Sequence, residues 1–97
     1  MREFVRRETL RRNEEIARRV NERTADDAAR GAFAGPEFLC ECGSATCMER
    51  LPMSLDEFAE VHSNALRFAV LPGHELPDVE RVVAIRPRYS VVEKIAS

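Results

Sequence analysis

The sequence predicts a small α+β domain on three observations. Residues 2–23 contain neither Gly nor Pro and are rich in Arg and Glu, with Leu10 and Ala17 among them, all good helix formers. Cys40, Cys42 and Cys47 flank a Gly43-Ser44 turn signal, as in a short hairpin. Three β-rich runs then follow, separated by turns that carry Pro or Gly. The expected order is an N-terminal helix, a cysteine-bearing β-hairpin, a short helix and a three-stranded antiparallel sheet. A chain of 97 residues is one domain, divisible into a charged helix with its linker (1–37) and a small body (38–97). Burying only roughly 60–65 % of its surface, a domain of this size often relies on a metal or on oligomerisation for stability.

In the N-terminal helix Val5, Thr9, Ile16 and Val20 fall near one face, interrupted by Arg12. The other faces are charged, with Glu8–Arg12 and Glu14–Arg18 at the i, i+4 spacing. So narrow a stripe predicts weak docking, on the body or on another chain. Residues 24–37 read as a linker, punctuated by Asp26-Asp27 and Gly31 and closed by Gly35-Pro36, with Phe33 as its anchor to the core. Phe38 to Met53 forms the hairpin.

Ser54-Leu55-Asp56-Glu57 fits a capping box and opens the second helix. Its apolar face carries Leu55, Phe58, His62 and Leu66, with Ala59 and Ala65 alongside and Ser63-Asn64 as a fraying end. The strands are "RFAVL", "VERVVAIR" and "YSVVEKIA", and Pro87 suits the turn between the last two. Alternation there leaves neither face purely apolar, so the buried face stays open.

Net charge is −2, which lacks the overall basic footprint of a nucleic-acid binder. Charge is unevenly spread: eight of the fifteen Lys and Arg lie in the first 23 positions, against five Glu there. Lys94 is the sole Lys, a bias that a GC-rich genome produces without selection for Arg chemistry. No segment approaches the ~20 apolar residues of a membrane span, and the charged N-terminus lacks the apolar run of a signal peptide. The expected location is the cytoplasm. Three Cys in a reducing compartment argue for metal binding or thiol chemistry rather than disulfides.

The C-x-C-x4-C spacing carries the chemistry. Alternate residues of a strand share a face, so Cys40 and Cys42 can present both sulfurs to one side, with a bend that Gly43 permits. The turn through Ala45 and Thr46 returns Cys47 toward them. Three thiolates on a tight hairpin make most of a tetrahedral zinc site. The competing readings are small buried hydrophobes and redox thiols. A Cys40–Cys42 disulfide would close a strained small ring, and only Arg50 lies near Cys47 to lower a thiol pKa.

A fourth ligand is wanted. His74 lies in the "LPGHEL" turn, which can hold an imidazole rigidly at a sheet edge, and is favoured. His62 lies on the apolar face of the second helix, where a His is more often a hydrogen-bonded core residue. Asp56, Glu41 or a water could also complete the site. A structural zinc is expected. The H-x-E with P-C-x-x-C pattern of zinc deaminases and the H-E-x-x-H helix of metalloproteases are both missing, so Glu41 and Glu75 read as solvated charges or supports of the ligands.

The segments "FLCECGSATCMERLPMSLDEFAEV", "RFAVLPGHELPDVERVV" and "YSVVEKIA", behind a helix like "RRNEEIARRVNERT", together resemble a family of short, mostly actinobacterial proteins. That family carries a C-E-C-x4-C motif, an L-T/S-x-x-E-[YF] helix start, a P-G-H-E turn and a terminal V-V-E-K strand. The resemblance covers nearly the whole chain and implies no activity. It does imply that Cys40, Cys42, Cys47 and His74 travel together, whereas His62 stands where similar chains carry another polar residue, often Arg.

Two functional readings follow. In the first the chain is a zinc-stabilised regulatory or adaptor module that binds a protein partner. Leu10, Asn13, Ala17 and Val20 approximate a/d spacing for a partner helix. Arg11, Arg12, Arg18 and Arg19 could instead contact nucleic acid, although interleaved Glu weakens that version. In the second, less favoured reading the chain is an enzyme, with Cys42 or Cys47 as nucleophile or zinc-bound water with Glu75 as base.

Overall fold

The computed structural model describes residues 2–31 and 35–95, with side chains from Arg6 onward. The fold is α+β: α1 (Arg2–Ala29), β1 (Glu37–Leu39), β2 (Arg50–Pro52), α2 (Leu55–Val61), β3 (Arg67–Val70), β4 (Glu80–Ile85) and β5 (Ser90–Lys94). β1 and β2 pair antiparallel as the hairpin, and the second sheet has the antiparallel order β3-β5-β4.

Residues 24–29, expected as linker, continue α1 instead. The Ala-rich end has no breaker before Gly31, Arg23 and Asp27 pair at i, i+4, and Ala25 packs against the core. The helix stops where Gly31 takes a positive φ of 82° and its N–H bonds the Ala28 carbonyl, the left-handed ending that Gly permits. The side chain of Val5, like all of Phe33, lies outside the described residues.

The expected apolar stripe of α1 is not its docking face. Ile16 and Val20 are 51 % and 43 % exposed, while Glu14, Ala17 and Asn21 are buried. Leu10, Asn13 and Ala17, read as a possible partner-helix seam, turn toward the body. The reason is the surface that α1 meets, the edge of β1 and the irregular backbone that follows it rather than an apolar sheet face. Free N–H and C=O groups there are matched by polar side chains, because burying them unpaired costs about 1–3 kcal/mol each.

α2 begins with the expected capping box: Ser54 Oγ accepts from the Glu57 N–H, and the Ser54 N–H donates to the Glu57 carboxylate. The helix ends at Val61. Leu66 therefore lies beyond it and is exposed, and Phe58 and Val61 are the buried residues of α2. Phe58 stacks on Phe38 with ring centroids 4.5 Å apart. β5 is central, so Ser90, Val91 and Val92 are all buried. β4 is an edge, and its Val82 and Ile85 stay exposed. Its pairing with β5 shifts register between Val82 and Ala84, a bulge of the kind that bends an edge strand. Pro87 does lie in the β4–β5 turn, which the Arg86 N–H closes onto the Tyr89 carbonyl.

One core joins both sheets. Phe38, Leu51, Met53, Phe58, Phe68, Val70, Tyr89 and Val92 pack together, and Cys40 and Cys42 belong to the same cluster. Leu51 faces Phe38 across the hairpin. Truncating a fully buried Leu of this kind costs roughly 2–5 kcal/mol.

Candidate metal centre

The site is assembled from two loops. The first leaves β1 at Cys40 and runs without helix or strand to Glu49. Gly43 turns it with a φ of 82°. A Cβ at Gly43 would stand 3.2 Å from the Leu10 carbonyl oxygen and from side-chain atoms of Leu10 and Glu14, so the glycine is required by φ and by the approach of α1. The Cys47 N–H reaches the Ser44 carbonyl at 3.3 Å, returning Cys47 toward Cys40. The second loop follows β3. There Gly73 has a φ of 94°, and the His74 N–H donates to the Leu71 carbonyl at 2.9 Å.

These turns bring Cys40, Cys42, Cys47 and His74 together, with one ligand atom of each within 4.8 Å of every other. His74 Nδ1 lies 3.6 Å from Cys40 Sγ and 3.6 Å from Cys47 Sγ. The Leu71 N–H donates to Cys40 Sγ at 3.2 Å, a bond that favours a thiolate. Cys40 and Cys42 are buried and Cys47 is half-buried. Burial pushes the Cys40 and Cys42 thiols up, so thiolates at these positions require a cation beside them. Three sulfurs and an imidazole nitrogen converging in this way could hold a metal ion.

Compared with protein-family models, curated proteins and solved structures, the chain matches none. The chemistry of the centre is therefore read from its own residues.

His62 stands apart from the four. Its Nε2 is 3.0 Å from the Glu41 carboxylate, and its ring lies 4.6 Å from the Phe58 ring, centroid to centroid. Glu41 is not the solvated charge its sequence position suggested. It is fully buried, and its carboxylate also accepts from Asn21 Nδ2 and from the Ala69 N–H, each at 2.8 Å. Because Cys40 and Cys42 point one way along the extended chain, the residue between them points the other, into the body. Glu75 is half-buried and accepts from the Gly73 N–H at 3.0 and 3.1 Å; it holds the turn that carries His74. Asp56 lies exposed in the first turn of α2.

Asn21 is the residue that sequence reasoning missed. It accepts from the Leu39 N–H at 2.7 Å, and its Nδ2 donates to the Leu39 carbonyl and to Glu41, both at 2.8 Å. Asn13 Nδ2 donates to the Gly43 carbonyl at 2.8 Å. Asn13, Ala17 and Asn21 recur at i, i+4 and i+8, a one-face signal that a search for apolar residues passes over.

The four arginines singled out in α1 divide. Arg11, Arg12 and Arg19 are exposed. Arg18 folds onto the body, its Nη2 donating to the Ala65 and Arg67 carbonyls at 2.6 and 3.0 Å and its guanidinium lying 4.3 Å above the Phe68 ring. Among the described residues no helix is long and apolar enough to cross a membrane.

Proposed function

We propose that the chain is a small adaptor module stabilised by one structural zinc ion on Cys40, Cys42, Cys47 and His74, and that it acts by binding a protein partner. The two 3.6 Å separations from His74 Nδ1 to Cys40 Sγ and Cys47 Sγ carry the metal assignment. Zn–S bonds of about 2.3 Å and a Zn–N bond of about 2.05 Å at the tetrahedral angle require an S···N edge of about 3.6 Å. Three thiolates with one imidazole suit zinc over hard cations, which take oxygen ligands.

A four-residue shell is the structural type, closed to substrate. Glu75, engaged with the Gly73 amide, is not turned to serve as a base, which argues for binding rather than catalysis. A protein partner is favoured over nucleic acid because net charge is −2 and Arg18 is spent on the body. The exposed Arg11, Arg12 and Arg19 alternate with the exposed Glu15 and Glu22, a mixed surface suited to another protein.

The test of the metal is elemental analysis of purified, reduced protein. One zinc per chain is expected, lost in His74→Ala and kept in His62→Ala. Metal-free wild type would overturn the assignment. For the partner class, association that is weakened steeply by salt and competed by single-stranded or duplex DNA would favour nucleic acid instead.

A further inference from the structure

The buried face of α1 is aimed at the metal-binding segment. Asn21 holds Leu39 and Glu41, and Asn13 holds the Gly43 carbonyl. Glu14 and Leu10 close over Gly43. The apolar side chains that α1 brings to this contact are small or few: Leu10, Ala17 and Ala25. Its grip therefore depends on hydrogen bonds whose geometry must be preformed. Leu39 is the last residue of β1, whereas Glu41 and Gly43 belong to an irregular stretch with no strand pairing of its own. Its Cys40–Glu41 end is held by the Cys40 N–H to the Glu49 carbonyl, the Glu41 N–H to the Ala69 carbonyl, the Leu71 N–H to Cys40 Sγ, and the Ala69 N–H and His62 on the Glu41 carboxylate. The part from Cys42 to Cys47 is fixed chiefly through the convergence of its cysteines on His74.

We infer that metal occupancy gates the docking of α1: the bound ion holds the Cys40–Cys47 loop in the shape that the helix recognises, and loss of the ion releases α1 from that loop while β3, β4 and β5 remain folded. This rests on the zinc reading given above. The separation of the two parts has a structural basis. The strand pairings of β3, β5 and β4 involve none of the four ligands, although Cys40 and Cys42 pack into the same core as Phe68, Val70 and Val92. The polar anchors of α1 on that side are Arg6 to Asp78, Arg18 to the Ala65 and Arg67 carbonyls, and Glu14 to Lys94. The first of these is an exposed ion pair, worth little in water. Arg18 and the buried Glu14–Lys94 pair hold the middle of α1 near the sheet, while the Asn13 and Asn21 bonds set its seat on the metal-binding segment. Linkage makes the effect reciprocal: what seats α1 tightens the metal, and what unseats it loosens the metal.

The test is hydrogen exchange of the full chain, with one equivalent of Zn²⁺ and after chelation by EDTA, on wild type, Asn21→Ala and Asn13→Ala. Expected on chelation is a fall of about tenfold or more in amide protection within 13–25, with amides in 68–70 and 90–93 changing far less. Expected in Asn21→Ala is one zinc per chain with affinity weakened about 5- to 10-fold, and a smaller loss in Asn13→Ala, which removes one hydrogen bond. Unchanged protection of 13–25 after the metal has left overturns the inference, and so does simultaneous loss of protection across the whole chain. Wild type that takes up no zinc overturns the metal reading itself, a separate result seen before any exchange is measured.

Discussion

Asn21 in α1 and Leu39 in β1 exchange two hydrogen bonds, the Leu39 N–H to Oδ1 at 2.7 Å and Nδ2 to the Leu39 carbonyl at 2.8 Å. A side-chain amide thus takes the place of a neighbouring strand along β1. Asn21→Ala leaves both Leu39 groups and one Glu41 contact without their partner. The expected cost is about 2–4 kcal/mol, measured by urea unfolding of the zinc-loaded protein. A change below about 0.5 kcal/mol would mean that water replaces the amide fully.

His62 and Glu41 form a buried pair from which removal of one member should be worse than removal of a surface ion pair. His62→Ala is expected to destabilise by roughly 2–4 kcal/mol, because Glu41 is left buried with two donors instead of three. His62→Gln can restore a donor and is expected to recover part of the loss. Equal stability of the two variants would assign the loss to packing against Phe58 alone.

Gly43 combines a φ of 82° with 3.2 Å approaches from α1. Gly43→Ala incurs about 1–2 kcal/mol from the backbone alone and forces Leu10 or the helix itself to shift. The expected result is a lower unfolding midpoint than that of Gly35→Ala. Gly35 shares a positive φ of 66° but has open space around it, so the difference between the two variants reads the contact with α1.

Stability should fall as pH rises through the mildly acidic range, owing to Glu80. Glu80 and Glu14 are buried together beside Lys94, which pairs with Glu14 at 2.6 Å. Burial pushes both carboxyls up, Lys94 draws Glu14 back down, and the Glu14 charge adds to the rise of Glu80, which reaches about 7. Folded Glu80 then binds more protons than the unfolded chain between about pH 4.5 and 7, so its contribution is full below that window and lost above it. The loss is on the order of 2–3 kcal/mol. Glu80→Gln mimics the protonated form. The difference in urea midpoint between wild type and Glu80→Gln is expected to grow from pH 5 to pH 8 in favour of the variant, and a constant difference would place Glu80 outside the titration.

What the sequence determined by itself is whatever short-range chemistry specifies. The capping box at Ser54 lies within four residues. The Gly43 turn and the Pro87 turn are local, and the last two β-rich runs are written in β-branched residues. The Cys40, Cys42 and Cys47 cluster is legible because ligands crowd into few positions. The tertiary structure decided the rest. At the end of α1 the tertiary contribution is the packing of Ala25 against the core; the Ala-rich run up to Gly31 is itself helix-forming. The burial of Glu14, Asn21 and Glu41 runs against their hydrophilicity. It becomes favourable only where backbone amides, Lys94 and His62, distant in the chain, are brought within hydrogen-bonding reach. The same holds for His74: it is one of two histidines in the sequence, and its place beside Cys40 and Cys47 is set by the turn after β3 and by the bonds that join Cys40 and Glu41 to Leu71 and Ala69.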